Sequence, residues 1–276
     1  MIATQGVLGS IVSLWRYPVK SMMGEELNSV EVTKTGLQAD RAYALVDRSD
    51  GKVASAKNPR KWPQLFDFRA ALSDSSNTSA SAPQVRITLP EGTVVRSDQP
   101  DVNQILSNAL KRDVTLDSIA PSPRTATAEE YWPDIGGLDH RDTVTEFGLP
   151  EGTFFDAAPV HLLTTAMLDQ LHVLYPTGRF EARRFRPNLV IQTSNGNAGF
   201  VENAWIGKTL AIGDTVRLSI TGPCPRCVMT TLAQGDLPND AGILRTAVQH
   251  NHANVGVYAS VLQGGKIRRG DAVTLE

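Results

Sequence analysis

Residues 215–231 of the chain read TVRLSITGPCPRCVMTT. The first six are rich in β-branched and apolar side chains, which predicts a strand. Gly222 and Pro223 end that strand just before two cysteines, Cys224 and Cys227. Short runs of the same kind, rich in Val, Ile, Leu and aromatic residues, also lie at residues 7–17, 30–33, 41–47, 85–89, 189–192, 255–262 and 272–275.

Two segments show helical spacing instead. Asp101, with a glutamine three residues later, is compatible with a capped helix start, and apolar residues then recur at helical intervals through Leu110. Residues 162–174 predict a second helix, begun by Thr164 or Thr165. Because strands are many, helices are few and the two do not alternate, a doubly wound parallel sheet is disfavoured. The expected fold is mainly β (α+β), with an N-terminal β-barrel-like domain and a second β-barrel domain carrying a few peripheral helices.

A chain of 276 residues can form two modest domains that share an interface. Residues 121–137 are polar and punctuated by proline, and they end in two glycines, which suits a linker or a surface crossing. The predicted domains are therefore residues 1–125 and 126–276. Residues 73–83 carry no large apolar side chain and predict a loop.

Two glycine-containing pairs predict hairpin turns. Asp50 and Gly51 follow one strand-like run, and Gly264 and Gly265 lie between the last two. Each pair is expected to join neighbouring antiparallel strands.

The chain carries 27 Lys and Arg against 29 Asp and Glu, a formal net charge of −2. No overall positive field therefore draws it to nucleic acid or to an anionic membrane. Residues 7–15 are apolar but interrupted by Gly9, Ser10 and Ser13, and they fall far short of the roughly 20 apolar residues of a membrane helix. Two cysteines cannot form a disulfide framework, and residues 1–6 lack the basic start of a secretory signal. We expect a cytoplasmic protein with no nucleic-acid or membrane partner.

The spacing of Cys224 and Cys227 is compatible with several kinds of site. A structural zinc ion needs two further ligands, and the nearest candidates, His250 and His252, are closer together in sequence than zinc-binding histidines usually are. A thioredoxin-like redox pair needs a strand that leads into a helix. Glycine and proline residues instead interrupt the chain soon after Thr231. Two buried thiols without chemical purpose are the third possibility.

The sequence around Cys227 resembles a known family signature. Residues 222–231, GPCPRCVMTT, are similar to the signature of MOSC domains, the family of molybdenum cofactor sulfurase C-terminal domains and amidoxime-reducing proteins. The resemblance runs from the first predicted strand to the last. Three further motifs agree with this resemblance. The sequence YPVKS at 17–21, with Asp40 and Arg41, resembles the β-barrel domain that precedes MOSC. The sequence LLTTA at 162–166 resembles the phosphate-proximal helix start of the MOSC domain, and RFRPN at 184–188 resembles another of its motifs.

The resemblance implies that the chain binds a molybdenum cofactor, molybdopterin, through Cys227. In the family the equivalent cysteine is the protein ligand to molybdenum, and a soft anionic sulfur suits that metal. The phosphate and pterin oxygens of the cofactor require positive charge and hydrogen-bond donors. The residues implied to contact them are Lys20, Ser21, Arg41, Thr164, Arg186 and Asn188, together with Arg184 and Arg226 from the same motifs.

Several of these residues also have an ordinary structural interpretation. Thr164 can simply cap its helix. If the RFRPN segment is extended, Arg184 and Arg186 point to one side and Phe185 to the other, and the arginines can form a solvated strand face. None of the five histidines is assigned to catalysis. His161, which lies beside apolar residues, is interpreted as structural.

On this resemblance the chain is expected to be a molybdenum-dependent oxidoreductase that reduces small N-hydroxylated compounds such as hydroxylamines, amidoximes or N-hydroxylated bases. Its two cysteines cannot ligate an iron–sulfur cluster. An external ferredoxin or reductase is therefore expected to supply the electrons. Two alternatives remain open: a sulfur carrier in which Cys227 holds a persulfide for metal-sulfur cluster or cofactor assembly, and a non-enzymatic carrier of the molybdenum cofactor.

Overall fold

The computed structural model describes residues 6–73, 82–118, 126–194 and 198–276 of the chain. Within these ranges eighteen strands stand beside four α-helices, which confirms the predicted mainly β fold. The loop predicted at residues 73–83 lies mostly outside the described ranges. In the described part of the chain, every helix is too short or too polar to cross a membrane.

The first half of the chain contributes nine strands and one α-helix. The strands are β1 (Val7–Arg16), β2 (Glu25–Leu27), β3 (Ser29–Thr33), β4 (Gly36–Leu37), β5 (Tyr43–Asp47), β6 (Arg69–Leu72), β7 (Val85–Thr88), β8 (Val94–Arg96) and β9 (Val114–Ser118). The helix α1 (Val102–Leu110) lies between β8 and β9. It begins directly after Asp101, as predicted, although the Asp101 side chain makes no capping hydrogen bond.

The second half contributes nine strands and three α-helices. They are β10 (Thr127–Trp132), β11 (Thr143–Gly148), β12 (Val160–Thr164), α2 (Thr165–Leu174), α3 (Ala182–Phe185), β13 (Leu189–Thr193), β14 (Thr209–Ile212), β15 (Val216–Pro225), α4 (Ala241–Asn251), β16 (Asn254–Gln263), β17 (Gly265–Arg268) and β18 (Ala272–Leu275). The hydroxyl of Thr164 accepts a hydrogen bond from the backbone N–H of Met167 at 3.1 Å. The predicted helix start is thus confirmed, although residues 162 and 163 belong to β12.

Seven strands form a closed barrel. Their order is β13-β12-β16-β15-β14-β18-β1, and β1 pairs with β13 to close the ring. β12 and β13 run parallel, and the other neighbours are antiparallel. Because parallel neighbours need a crossover connection, α2 and α3 fit between them. The interior holds fully buried side chains such as Leu162, Leu189 and Val257, each of which contributes about 1.5–3 kcal/mol through burial.

The strand β1 ties the beginning of the chain to its end. It lies between β13 and β18 in the barrel, and β3 pairs with β17. The first strand therefore belongs to a barrel built mainly from later residues. The division at residues 125 and 126 stays a prediction.

The remainder of the first half has a core of its own. The β5–β9 pair, the β6-β7-β8 sheet and α1 surround buried side chains that include Leu65, Phe68 and Leu106. Met229, from the segment after β15, also packs into this core, and Cys227 lies against it. The cysteine motif therefore lies where the barrel meets this core.

The polar segment predicted as a linker is in part a strand. Its residues Thr127–Trp132 form β10, which pairs with β11 in antiparallel register. Ala128 is fully buried and bridges to Val53. The local composition of this segment predicts no regular structure. It forms a strand because of its contacts with distant parts of the chain. Residues 121–125 lie outside the described ranges.

Of the two predicted hairpin turns, one is present. The backbone N–H of Gly51 donates to the carbonyl of Asp47 at 2.8 Å, which closes the turn at Asp50 and Gly51. The hairpin predicted at Gly264 and Gly265 is wrong, because β17 pairs with β3 and not with β16. A Cβ on Gly264 would lie 2.4 Å from a carbonyl oxygen of β3. This glycine therefore permits a close approach of two strands.

Candidate functional site

A pocket lies where strand ends of the barrel meet the core of the first half. Its empty volume, counted out to the open mouth, is about 690 Å³. It is formed by the loop after β1, the loop before β12, the residues between α3 and β13, and the end of β15. The lining residues are Lys20, Ser21, Arg41, Lys57, Phe154, Phe155, Asp156, Ala157, Ala158, His161, Phe185, Arg186, Asn188, Pro225, Arg226, Cys227, Met229 and Tyr258.

Cys227 reaches the pocket from a rigid backbone. It precedes a single 3₁₀ turn, Val228–Thr231. Both the N–H and the hydroxyl of Thr230 donate to the Cys227 carbonyl, at 3.2 and 3.0 Å. The thiol is half-buried. Burial, reinforced by the carboxylate of Glu130, raises the pKa of Cys227 to about 11, against the lowering effect of the Lys57 charge. The side chain therefore carries its proton at neutral pH.

Arg226 lies beside Cys227 and is fixed on two sides. Its Nη1 donates to the sulfur of Cys224 at 2.8 Å, and its Nη2 donates to the carbonyl of Phe185 at 2.9 Å. Its backbone N–H donates to the carbonyl of Ala253 at 2.7 Å. The guanidinium is thus held at the pocket wall by Cys224 and Phe185, and the backbone of Arg226 is held by Ala253.

A buried carboxylate, Asp40, organises the opposite wall. Its oxygens accept hydrogen bonds from the Tyr17 backbone N–H at 2.7 Å and from Nδ2 of Asn188 at 2.9 Å. It also forms an ion pair with Arg41. The Oδ1 of Asn188 accepts from the backbone N–H of His161 at 3.0 Å. Asp40 and Asn188 therefore join the loop after β1 to the starts of β12 and β13.

Arg186 carries an unpartnered donor. The residue is buried, and its guanidinium carbon lies 4.2 Å from the centroid of the Tyr17 ring. Its Nη1 has no hydrogen-bond partner within the described residues. Burial and the charge of Arg41 lower the pKa of Arg186 to about 10. A buried cation with a free donor is costly unless an anion completes its bonds.

Three lining residues adopt left-handed backbone conformations. Ser21, Arg41 and Arg186 have φ angles of 66°, 49° and 54°. Such angles cost non-glycine residues about 1–2 kcal/mol each, and strained residues often cluster at functional sites. The strain turns these side chains away from the regular strand direction, and all three line the pocket.

A second group of charged side chains, Lys20, Lys57 and Asp156, also lines the pocket. Nζ of Lys20 donates to the carbonyl of Phe154 at 2.8 Å and forms an ion pair with Asp156. The other oxygen of Asp156 lies 3.4 Å from Nζ of Lys57, which also pairs with Glu130 at 3.5 Å. Although burial acts to raise it, the charges of Lys20 and Lys57 hold the pKa of Asp156 well below its usual range.

Most of the predicted site residues meet in this pocket. Lys20, Ser21, Arg41, Arg186, Asn188, Arg226 and Cys227 line it, although they span more than two hundred positions of sequence. That they bind a cofactor stays a prediction.

Two predicted site residues lie elsewhere. Thr164 is fully buried, and its hydroxyl donates to Glu202 at 2.8 Å while it caps α2. Arg184 is fully buried too. Its guanidinium donates to the backbone carbonyls of four residues, Arg179, Thr230, Leu232 and Pro238.

The RFRPN segment is not extended, so the condition for the side-chain alternation considered for it is not met. Arg184 and Phe185 belong to the short helix α3, and Arg186 follows in a left-handed conformation. The helical turn directs Arg184 toward the segment after Cys227 and leaves Arg186 in the pocket. Arg184 therefore stabilises the segment that follows Cys227 from outside the pocket.

Sequence reasoning missed four polar residues of the pocket: Lys57, Asp156, His161 and Tyr258. Lys57 and Asp156 lie in irregular segments without a recognisable pattern. His161 was interpreted as structural, and its Nε2 does lie 3.1 Å from the Val255 carbonyl, but its ring also faces the pocket.

Two family models match the chain. One is the MOSC N-terminal beta barrel domain, over residues 8–119, and the other is the MOSC domain, over residues 150–274. The residues that line the pocket lie within these two matched ranges.

Two curated relatives show how far the likeness extends. The chain is 24% identical to the mitochondrial amidoxime reducing component 2 of Bos taurus, over 96% of this chain and 83% of that protein. It is 27% identical to the molybdenum cofactor sulfurase of Oryza sativa subsp. japonica, over 79% of this chain and 28% of that protein. Among solved structures, the YUAD protein of Bacillus subtilis aligns over 97% of this chain and 94% of its own, with 9% identity and a TM-score of 0.48.

Proposed function

This chain belongs to the MOSC family, in which an N-terminal β-barrel domain precedes the MOSC domain, and from this membership we propose that it binds a molybdenum cofactor in the pocket around Cys227. The observation that carries the proposal is the presence in one pocket of a cysteine thiol and a buried guanidinium with a free donor, that of Arg186.

The charge of the pocket fits such a group. Its lining includes five basic side chains, those of Lys20, Arg41, Lys57, Arg186 and Arg226, and one carboxylate among the described residues. This positive excess suits an anionic ligand such as a phosphate-bearing pterin. The thiol of Cys227 offers a soft ligand for the metal at the same site.

The individual residues then have distinct tasks. Cys227 would be the protein ligand to molybdenum, and Lys20, Arg41 and Arg186 would bind phosphate or pterin oxygens. The hydroxyl of Ser21 accepts from the Ala56 N–H at 3.0 Å, so its hydrogen remains available to a ligand.

Asn188 has a different task. Its side-chain amide is bonded to Trp15, Asp40 and His161 within the protein. We assign it the positioning of the loop beside the pocket, with no direct hydrogen bond from its side chain to the cofactor.

For the reaction we propose the reduction of small N-hydroxylated compounds. Each turnover takes up two electrons and two protons, breaks the N–O bond and releases water. The bound molybdenum centre would supply the two-electron step, and the protein would bind and orient the reactants. The likeness to an amidoxime reducing component supports this substrate class. The electrons are proposed to come from a separate ferredoxin or reductase.

The sulfur-carrier alternative has less support. A persulfide carrier needs only a reactive cysteine, whereas basic side chains from both halves of the chain line the pocket beside Cys227. Mass spectrometry of the isolated protein would show a persulfide on Cys227 if this alternative were correct.

The test begins with metal content. Protein made in a host that synthesises the molybdenum cofactor is expected to contain molybdenum by elemental analysis, and Cys227→Ala is expected to lose most of it. Thr246→Ala, which truncates a buried side chain on α4 outside the pocket, is the matched control. Retention of nearly all the metal in Cys227→Ala would contradict the assignment of the ligand.

The second measurement is turnover. Molybdenum-loaded protein is expected to reduce benzamidoxime to benzamidine when it is given a low-potential electron donor. Full metal loading without turnover of any N-hydroxylated substrate would contradict the reductase and support a non-enzymatic carrier.

A further inference from the structure

Cys224 is fully buried, yet its sulfur lies among polar side chains. Nη1 of Arg226 donates to it at 2.8 Å. The side chains of His161 and Tyr258 interact with the same sulfur. These three partners all line the pocket, whereas Cys224 is not among the lining residues. A buried free cysteine usually packs as a small apolar side chain, so this environment is unusual.

The arrangement supplies a counter-charge to Arg226. Among the groups that favour the charged form of Arg226, Cys224 has the largest effect. A guanidinium removed from water needs a nearby anion or strong acceptors. The sulfur of Cys224 and the carbonyl of Phe185 are the acceptors that contact it directly.

The electrostatics favour an anionic sulfur. Burial acts to raise the pKa of Cys224, but the charge of Arg226, followed by that of His161, lowers it to about 6. Burial and the charge of Cys224 raise the pKa of the Tyr258 hydroxyl, which therefore stays protonated and can donate. At neutral pH Cys224 is therefore a thiolate and Cys227 a thiol, although the two residues are only three positions apart in the sequence.

We infer that Cys224 is a positioning residue whose thiolate anchors the guanidinium of Arg226 at the pocket wall beside Cys227. The anchor fixes Nη1, the carbonyl of Phe185 fixes Nη2, and the buried Nε keeps no partner within the described residues. Arg226 is thereby held in one orientation with a donor left for an anionic ligand. The anchor is a property of the protein alone, and its use in holding the cofactor rests on the proposed function.

The first test is a thiolate titration on protein free of cofactor. Because the chain has two cysteines, Cys227→Ser leaves Cys224 as the sole thiol. The ultraviolet absorbance of the thiolate is expected to appear in this variant with a midpoint of about pH 6. The double variant with Cys224→Ser is expected to lack it. A midpoint at or above the ordinary thiol value of 9.0 would overturn the inference.

The partner is tested in the same background. Arg226→Gln is expected to raise the midpoint by about 1–3 pH units, the usual effect of removing a neighbouring opposite charge. Arg217→Gln is the control, since Arg217 lies on β15, the strand that carries Cys224, but pairs with Glu276 at 2.9 Å. A midpoint that Arg226→Gln leaves unchanged would show that the sulfur is merely buried.

The positioning claim needs a measurement on Arg226 itself. In cofactor-free protein labelled with ¹⁵N-arginine, the side-chain resonance of Arg226, assigned by its loss in Arg226→Lys, is expected to show slow rotation of the guanidinium. Both Cys224→Ser and Cys224→Ala are expected to abolish that restriction while cooperative unfolding is retained. Unchanged restriction in both folded variants would remove the anchor. None of these three measurements involves molybdenum, so their failure is distinct from failure of the proposed function.

Discussion

Replacement of Asp40 by asparagine tests how the pocket wall is held together. The Asp40 side chain is 0% exposed and serves three donors: the Tyr17 N–H, Nδ2 of Asn188 and the guanidinium of Arg41. An asparagine can keep one oxygen for Tyr17, but its amide hydrogens would then face the donors of Asn188 and Arg41. One buried donor, on Asn188, and one partly buried charged donor, on Arg41, would lose their acceptor.

The expected cost follows from these lost bonds. A buried donor left unsatisfied costs about 1–3 kcal/mol, and more when it is charged. Breaking a buried ion pair by removing one partner costs about 3–5 kcal/mol. Asp40→Asn is therefore expected to lower the free energy of unfolding by about 3–5 kcal/mol, since the two contributions overlap.

Urea denaturation followed by tryptophan fluorescence measures this change. Asp67→Asn, at an exposed position in the first half of the chain, is the matched control and is expected to change stability by less than about 0.5 kcal/mol. If Asp40→Asn lost no more stability than the control, the carboxylate would not be the organising group of this wall.

Three further outcomes are expected. Leu162→Ala removes a fully buried side chain from the barrel and should lower the free energy of unfolding by about 2–5 kcal/mol in urea denaturation. The control Leu262→Ala, at a side chain that is 57% exposed, should change this free energy little. Equal losses in the two variants would contradict a packed barrel interior. Arg186→Gln removes a buried cation whose Nη1 has no partner in the described structure, so the stability of the protein should be kept or raised. Its molybdenum occupancy should fall by about tenfold or more, and an undiminished occupancy would exclude Arg186 from cofactor binding. The pKa of Cys227 is raised from 9.0 to about 11, so the folded state holds this proton more tightly than the unfolded state does. Its contribution, about 3 kcal/mol, is fully present below pH 9 and is lost as the pH rises to 11. Denaturation of cofactor-free protein at a series of pH values should show this loss in the unaltered chain and not in Cys227→Ser, and a loss of equal size in both would refute it.

The parts of the fold that the sequence predicted correctly are those with local causes. The runs around β13, β15, β16 and β18 were found because strand-forming residues lie between turn residues. The start of α2 was found because Thr164 bonds to Met167, only three positions away. The hairpin at Asp50 and Gly51 is likewise closed by a bond within its own turn.

The parts that sequence could not predict depend on distant partners. The polar residues of β10 form a strand because Ala128 meets Val53, and the turn expected at Gly264 gives way to the pairing of β17 with β3. The alternation of Arg184 and Arg186 applied only to an extended segment, and this segment is helical. No pattern within a few residues of sequence predicts which distant strand or side chain a segment will contact.

The same distinction applies to the site. The sequence by itself determined the strand-rich character of the chain, the helix start at Thr164 and the family motif around Cys227, because these depend on residues a few positions apart. Only the tertiary structure decided that β1 closes the barrel, that Arg184 lies outside the pocket while Arg186 lines it, and that Lys20 pairs with Asp156, 136 positions away. Packing of the two cores selects those partners, since the energy of a buried charge depends on what surrounds it in space.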